Sequence, residues 1–346
     1  MMLVHRTTRR QDPPRARAFP AGWRAATVTC LATVLLTSGT TRPARAQTPP
    51  TAPQRAVLVT GASSGIGRAI AETLAVRGYF VYAGARKAED LAALNAIRNM
   101  QGVRLDVTSE AEIAAAVDVV RRGGRGLYGV VNNAGVAAMA PLIEMDERDL
   151  TSLFNVNVFG PYRITKAFSP LLIASRGRVV NISSISGILS GPLLGAYSMS
   201  KHAVEAYGDA LSAEVARFGV RVSLIEPGNY RSEIGRTTIR QIEGQISRQP
   251  NSPYQAQMRN MVTAMAGYDN YPEPDAVAAA ALHALNDSLP RARYMVVPEA
   301  RQAEVTIKKA IDELVQLNHG HAFTYDRATL IKLLDESLAK MTPPGR

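Results

Sequence analysis

The chain has 346 residues, 46 % of them hydrophobic and 20 % charged, and a formal net charge of +11. That content excludes a disordered or collagen-like chain and allows one large globular domain, or at most two small ones. The charge is not a nucleic-acid footprint, because residues 1–46 hold eight arginines against the single acid Asp12, leaving 32 basic and 28 acidic residues in the other 300.

Residues 1–46 read as a signal peptide. An Arg-rich stretch runs to Arg24, an apolar run covers residues 25–36, and Ala44-Arg45-Ala46 precedes Gln47. Basic, apolar, then small-x-small is the order of a cleavable secretory leader, which implies a periplasmic protein. The alternative is an over-extended start codon and a cytoplasmic protein. The apolar run is too short and too rich in Thr to span a bilayer, which takes ~20 apolar residues. Arg9-Arg10 hints at twin-arginine export. Residues 47–54, with Pro49, Pro50 and Pro53, form a linker. Cys30 is the only cysteine, so no internal disulfide can form. The five histidines are scattered, His319 and His321 falling in a loop, and no metal is expected.

From residue 56 short β-rich runs alternate with helical patterns. Strands are expected at 56–60, 79–84, 103–107, 129–132, 178–182, 220–225 and 293–297. Helices are expected at 66–77, 110–121, 149–173 and 203–218. Strands joined by long helical crossovers pair in parallel, giving a doubly wound, seven-stranded, mostly parallel α/β sheet with helices on both faces. Residues 55–298 read as one domain. Within it, 229–272, with Met258, Met261, Met265, Tyr254, Tyr268 and Tyr271, lie past the carboxyl end of a strand. Open sheets bind ligands there, and such residues suit an adaptable lid, although a helical pair packed on the core fits equally well. Residues 299–346 form a C-terminal helical extension, with helices near 300–317 and 327–340.

The first strand runs into Thr60-Gly61-Ala62-Ser63-Ser64-Gly65-Ile66-Gly67, and a helix starts at once. Glycines there allow a tight turn and close backbone approach to a diphosphate, and the helix N-terminus offers N–H groups and partial positive charge. At the end of the second strand, where a carboxylate would meet a ribose hydroxyl, the chain has Ala85-Arg86-Lys87. Ala85 accepts no hydrogen bond, whereas Arg86 can clamp a 2′-phosphate, so NADP is favoured over NAD. Further on, Tyr197 and Lys201 are spaced i and i+4 and share a helix face. A phenol is a poor acid or base at neutral pH, and a nearby ammonium brings its pKa toward the working range.

Taken in order, these motifs resemble the short-chain dehydrogenase/reductase family, in its single-domain branch with TGxxxGxG and YxxxK motifs. The likeness covers about 56–298. Asp106-Val107 matches the family's adenine-side pair and Asn132-Asn133-Ala134-Gly135 its NNAG segment. Asn157 falls where the family has its helix asparagine, and Ser184 precedes Tyr197 by the family's spacing. Pro227-Gly228 matches the nicotinamide-side motif, with Ser232 in place of the usual later Thr.

The resemblance implies a Rossmann-like fold and an NAD(P)-dependent oxidoreductase acting on CH–OH groups, hydroxysteroid-, retinol- or carbonyl-reductase-like. It gives Tyr197 the role of acid/base, Ser184 that of holding the substrate oxygen, and Lys201 the ribose contact and the lowering of the Tyr197 pKa. Asn157, through its backbone and a water, would link Lys201 to a proton relay. Cofactor contacts are implied at Thr60, Gly61, Ser63, Ser64, Gly65, Ile66, Gly67, Arg86, Asp106, Val107, Asn133, Ala134, Gly135, Tyr197, Lys201, Pro227, Gly228 and Ser232. Residues Ile185, Leu189, Pro192, Leu193 and Leu194 are expected to line a pocket for a moderately apolar alcohol or ketone. The family also implies a homodimer or homotetramer, through the helices of Asn157 and Tyr197. The alternative is a dinucleotide-binding sensor or scaffold that kept the fold and lost catalysis. Four filled catalytic positions count against it.

Overall fold

The computed structural model describes residues 54–341. The expected leader and most of the linker lie outside them. Seven strands form one sheet: β1 (Ala56–Val59), β2 (Phe80–Ala85), β3 (Met100–Arg104), β4 (Gly129–Asn132), β5 (Arg178–Ile182), β6 (Arg221–Pro227) and β7 (Arg293–Val296). Their order is β3-β2-β1-β4-β5-β6-β7. Every pairing is parallel, so the expected "mostly parallel" sheet has no antiparallel edge. Buried on both faces, β1 reads Ala-Val-Leu-Val without alternation.

Helices α1 (Gly65–Val76), α2 (Ala88–Asn95) and α9 (Asp275–Asn286) cover one face, where Ile70, Leu74, Leu94 and Leu285 pack on Val57, Val59 and Val81. Helices α3 (Glu110–Arg122) and α5 (Phe159–Ser175) cover the other, packing Val117, Ile164 and Phe168 on Leu58 and Val130. Helix α3 shows why such segments fold. The Ser109 hydroxyl accepts from the Glu112 N–H, acids open the helix, Arg121 and Arg122 close it, and Ile113, Ala116, Val117 and Val120 form the buried stripe.

The stretch expected as one helix over 149–173 is two: α4 (Glu147–Asn157) and α5, divided at Val158. Pro161 lacks the N–H that would bond the Asn157 carbonyl, which ends α4. Strand β3 ends three residues earlier than expected, leaving Asp106 and Val107 in the loop beyond it. Helix α6 (Gly195–Val215) takes in the Tyr197–Lys201 turn expected to share a helix face and most of the amphipathic stretch expected at 203–218.

Past β6 come α7 (Glu233–Arg248) and α8 (Gln255–Ala264), which close a small core of their own from Leu193, Ile242 and Met258. Helices α10 (Ala300–Leu317) and α11 (Arg327–Met341) end the described chain, and α11 buries none of its residues. No helix among the described residues is long and apolar enough to cross a membrane.

Candidate active site

A cleft of about 1010 Å³ opens at the carboxyl ends of the strands, where β1 and β4 diverge in connectivity. At one end lies the turn after β1. Gly61 and Gly65 hold φ of +64° and +53°, in the left-handed region that favours glycine. Gly67 is required for another reason, since a Cβ there would come within 2.3 Å of the Gly61 carbonyl oxygen. The Asn133 amide clamps the turn, donating to the carbonyls of Thr60 (2.9 Å) and Gly61 (3.1 Å). Ser64 gives α1 no side-chain cap, so the helix opens directly on the cleft that Ser63, Ser64, Gly65, Ile66 and Gly67 line. An uncapped helix N-terminus over a glycine turn fits a dinucleotide diphosphate.

Thr60, expected as a cofactor contact, lies beneath this floor, 1 % exposed and outside the cleft lining. Its hydroxyl accepts from the N–H groups of Asn133 and Ala134, each at 3.0 Å, so it shapes the turn from below. Arg86, Asp106 and Val107 line the cleft beside it. The Arg86 guanidinium is 3.8 Å from the Asp106 carboxylate and mostly exposed. Burial opposes ionisation of Asp106, but the Thr108 hydroxyl and N–H, aided by Arg86 and Arg104, outweigh it and hold that carboxyl below its ordinary value.

Ser184, Tyr197 and Lys201 meet on the cleft wall with Gly135, Pro227, Gly228 and Ser232. Ser184 caps the tight turn Ile185–Gly187 and accepts from the Ser186 N–H at 3.1 Å. The Lys201 ammonium donates to the Ile182 carbonyl at 3.0 Å and lies 5.6 Å from the Tyr197 ring centre. Burial pushes the Tyr197 phenol up to about 12, with the Ser184 hydroxyl pulling the other way. Burial likewise pushes Lys201 down to about 8, opposed by the charge of Glu205. The expected depression of the Tyr197 pKa by Lys201 is therefore not what this geometry produces. The ammonium is engaged with a carbonyl, and desolvation dominates both groups.

Asn157 is 2 % exposed and does not line the cleft. Its amide is fully used. Oδ1 accepts from the Val136 N–H (2.9 Å), while Nδ2 donates to the Val136 carbonyl (2.9 Å) and to Ser200 Oγ (3.0 Å). It ties α4 to α6 and to the loop after β4.

Of the five expected pocket residues, Ile185, Leu189 and Leu194 line the cleft. Pro192 is exposed, and Leu193, at φ +66°, turns away into the small core beneath α7 and α8. Those two helices both pack together and line the cleft, through Ile234, Thr238, Met261 and Met265. Ser232 lines it too, but its N–H (2.5 Å) and hydroxyl (2.8 Å) are bonded to the buried Tyr268 phenol oxygen. The helix expected near 300–317 is α10, and what the sequence did not show is its place at the cleft, to which it brings Gln302, Val305 and Lys309. Gln302 Oε1 accepts from the Asn229 N–H at 2.9 Å, closing α10 over the loop after β6. No group of three potential metal ligands occurs among the described residues.

Residues 55–243 match the family model for short chain dehydrogenases. The NADPH-dependent 3-dehydrocapnine reductase of Ornithobacterium rhinotracheale is 35 % identical over 255 residues, covering 71 % of this chain and 89 % of that protein. Rat retinol dehydrogenase 7 is 36 % identical over 252 residues, covering 69 % and 79 % respectively. Among solved structures, a short-chain dehydrogenase from Streptomyces avermitilis superposes with a TM-score of 0.64 at 31 % identity, over 84 % of this chain and 98 % of that one. The chain belongs to the short-chain dehydrogenase family. It is an NAD(P)-dependent oxidoreductase acting on CH–OH groups.

Proposed function

We propose that this chain interconverts a moderately apolar secondary alcohol and its ketone with NADP(H), Tyr197 acting as acid/base. The observation that carries the reading is the convergence of Ser184, Tyr197 and Lys201 on the wall of a cleft floored by the glycine turn. The dinucleotide, when bound, gives or takes the hydride. A phenol held near 12 is protonated at neutral pH, ready to donate to the oxygen of a ketone being reduced. Ser184 holds that oxygen through its hydroxyl. Lys201, pushed down to about 8, is still mainly an ammonium at neutral pH and can bond a ribose hydroxyl. The Asn157 carbonyl, left without a helical donor by Pro161, is free to accept from a water that would link it to Lys201.

Arg86 beside Ala85 supports a 2′-phosphate, and the Ornithobacterium relative is NADPH-dependent by name. Apolar residues Leu189, Leu194, Met261 and Met265 support an apolar substrate, in keeping with the retinol named for the rat relative. A homodimer or homotetramer through α4 and α6 belongs to the same reading, supported by the half-exposed Phe159 and Tyr162 beside them. Export to the periplasm is proposed from the order of residues 1–46.

The deciding experiment assays apolar ketones with NADPH and with NADH, for wild type and Tyr197→Phe. NADPH is expected to be preferred, and loss of the phenol proton to lower kcat/KM by about 10³-fold with NADPH affinity retained. Undiminished turnover in the Phe variant overturns the role of Tyr197.

A further inference from the structure

Behind the proposed catalytic residues, three carboxylates share one guanidinium. Along β6, Val222 and Leu224 are buried toward the α5–α6 side, and Glu226, next in that alternation, is only 3 % exposed. Arg293 of β7 places Nε 3.4 Å from Glu226 Oε1 and 3.1 Å from Glu205 Oε2, and a terminal nitrogen 2.7 Å from Asp209 Oδ2. Glu205 and Asp209 stand one turn apart on α6, and Glu205 stands one turn beyond Lys201. Asp209 and Arg293 are largely exposed, but the Glu205 and Glu226 side chains are only 12 % and 4 % exposed, and one guanidinium shared with Asp209 does not balance two buried carboxylates. Glu205 Oε1 and Glu226 Oε1 are also both buried without a hydrogen-bond partner. A single proton held between the two glutamates removes both deficits.

We propose that Glu205 and Glu226 hold one proton between them at neutral pH, and that this bridge ties α6 to the end of β6 and so positions Lys201 and the Ser184 turn. The assignment rests on the hydride-transfer reading above. The lever is short. A Cβ on Gly187, in the turn that Ser184 caps, would meet Glu205 Cγ at 2.9 Å, Glu205 Oε1 at 3.0 Å and Ser183 Oγ at 3.0 Å. Glu205 therefore lies directly against that turn.

The charged groups facing Glu226 are Glu205 and Asp209 from α6 and Arg293 from β7, with Lys201 on α6 next along. Burial, then the Glu205 charge, push Glu226 up to about 7 against the pull of Arg293. A carboxyl raised in this way binds its proton more tightly folded than unfolded. The bridge is intact in acid and opens as pH rises through about 7.

Carbon-13 NMR of the full-length protein with δ-labelled glutamate tests the bridge, alongside pH–rate profiles with NADPH and a ketone that is turned over. One glutamate should titrate near neutrality in wild type, and that signal should vanish in Glu226→Gln and in Glu205→Gln. Glu226→Ala should lower kcat about tenfold with KM little changed, and Glu226→Gln, which keeps a neutral bridging group, should restore most of it and flatten the decline above neutral pH. Ordinary titration of every glutamate, or equal losses in the Ala and Gln variants, would overturn the proposal. An upshifted glutamate without any ketone turnover would sink the hydride-transfer reading and keep the bridge. Turnover without such a glutamate would sink the bridge alone.

Discussion

Lys201 costs the fold stability in order to serve the cleft. Its pKa is pushed from 10.5 down to about 8 by burial, so the folded state binds this proton less tightly than the unfolded chain does. The penalty is full below about 8 and fades as pH climbs toward 10.5. At roughly 1.4 kcal/mol per unit, Lys201→Met should stabilise the cofactor-free protein by about 1–3 kcal/mol at neutral pH and by almost nothing in strong alkali. Urea unfolding at the two pH values measures this, and a gain that ignored pH would contradict it. The same variant should lower turnover by about 100-fold or more. Tyr197 and Lys201 stood out in the sequence by their i and i+4 spacing on one helix, whereas Ser184 and Asn157 were singled out only through the family resemblance. Whether a side chain faces ligand or fold was not legible. Thr60 and Asn157 stand outside the cleft lining and give their polar side-chain atoms to neighbours 21 to 74 positions away.

At the scale of elements, Gln302 fastens α10 to the site. Gln302→Ala removes the acceptor of the Asn229 N–H and frees the loop carrying Pro227 and Gly228. A lost hydrogen bond of about 1 kcal/mol predicts an approximately fivefold rise in KM for NADPH with kcat little changed, read from initial rates. That contact spans 73 positions, so no pattern within α10 announces it. Strands β4 and β5 match their expected bounds because turn residues frame them. The edge strand β3 was misplaced because the alternation Val103, Leu105, Val107 outweighs Met100-Gln101-Gly102, whose last two residues are only partly buried. The short helix α2 had no expected bounds, since Leu94 is its only buried residue and no periodic stripe marks it. The Glu226 network was not read from the sequence, because Glu226 falls just past the strand expected at 220–225 and its partners come from α6 and β7.

For the molecule as a whole, charge sets residues 1–46 apart from the rest. Without residues 1–46 the chain carries 32 basic and 28 acidic residues, close to balance. N-terminal sequencing of protein recovered from the periplasm of the producing cell is expected to begin at Gln47. An intact Met1, or protein confined to the cytoplasm, would overturn the export proposal. The order β3-β2-β1-β4-β5-β6-β7 has a consequence for biosynthesis. The first strand of the described residues lies inside the sheet, with β2 on one side and β4 on the other. As the ribosome delivers the chain, the apolar residues Ala56–Val59 emerge with two bare edges, and the second stays unpaired until Gly129–Asn132 have been synthesised. That tetrapeptide is where a nascent-chain chaperone has most reason to hold on.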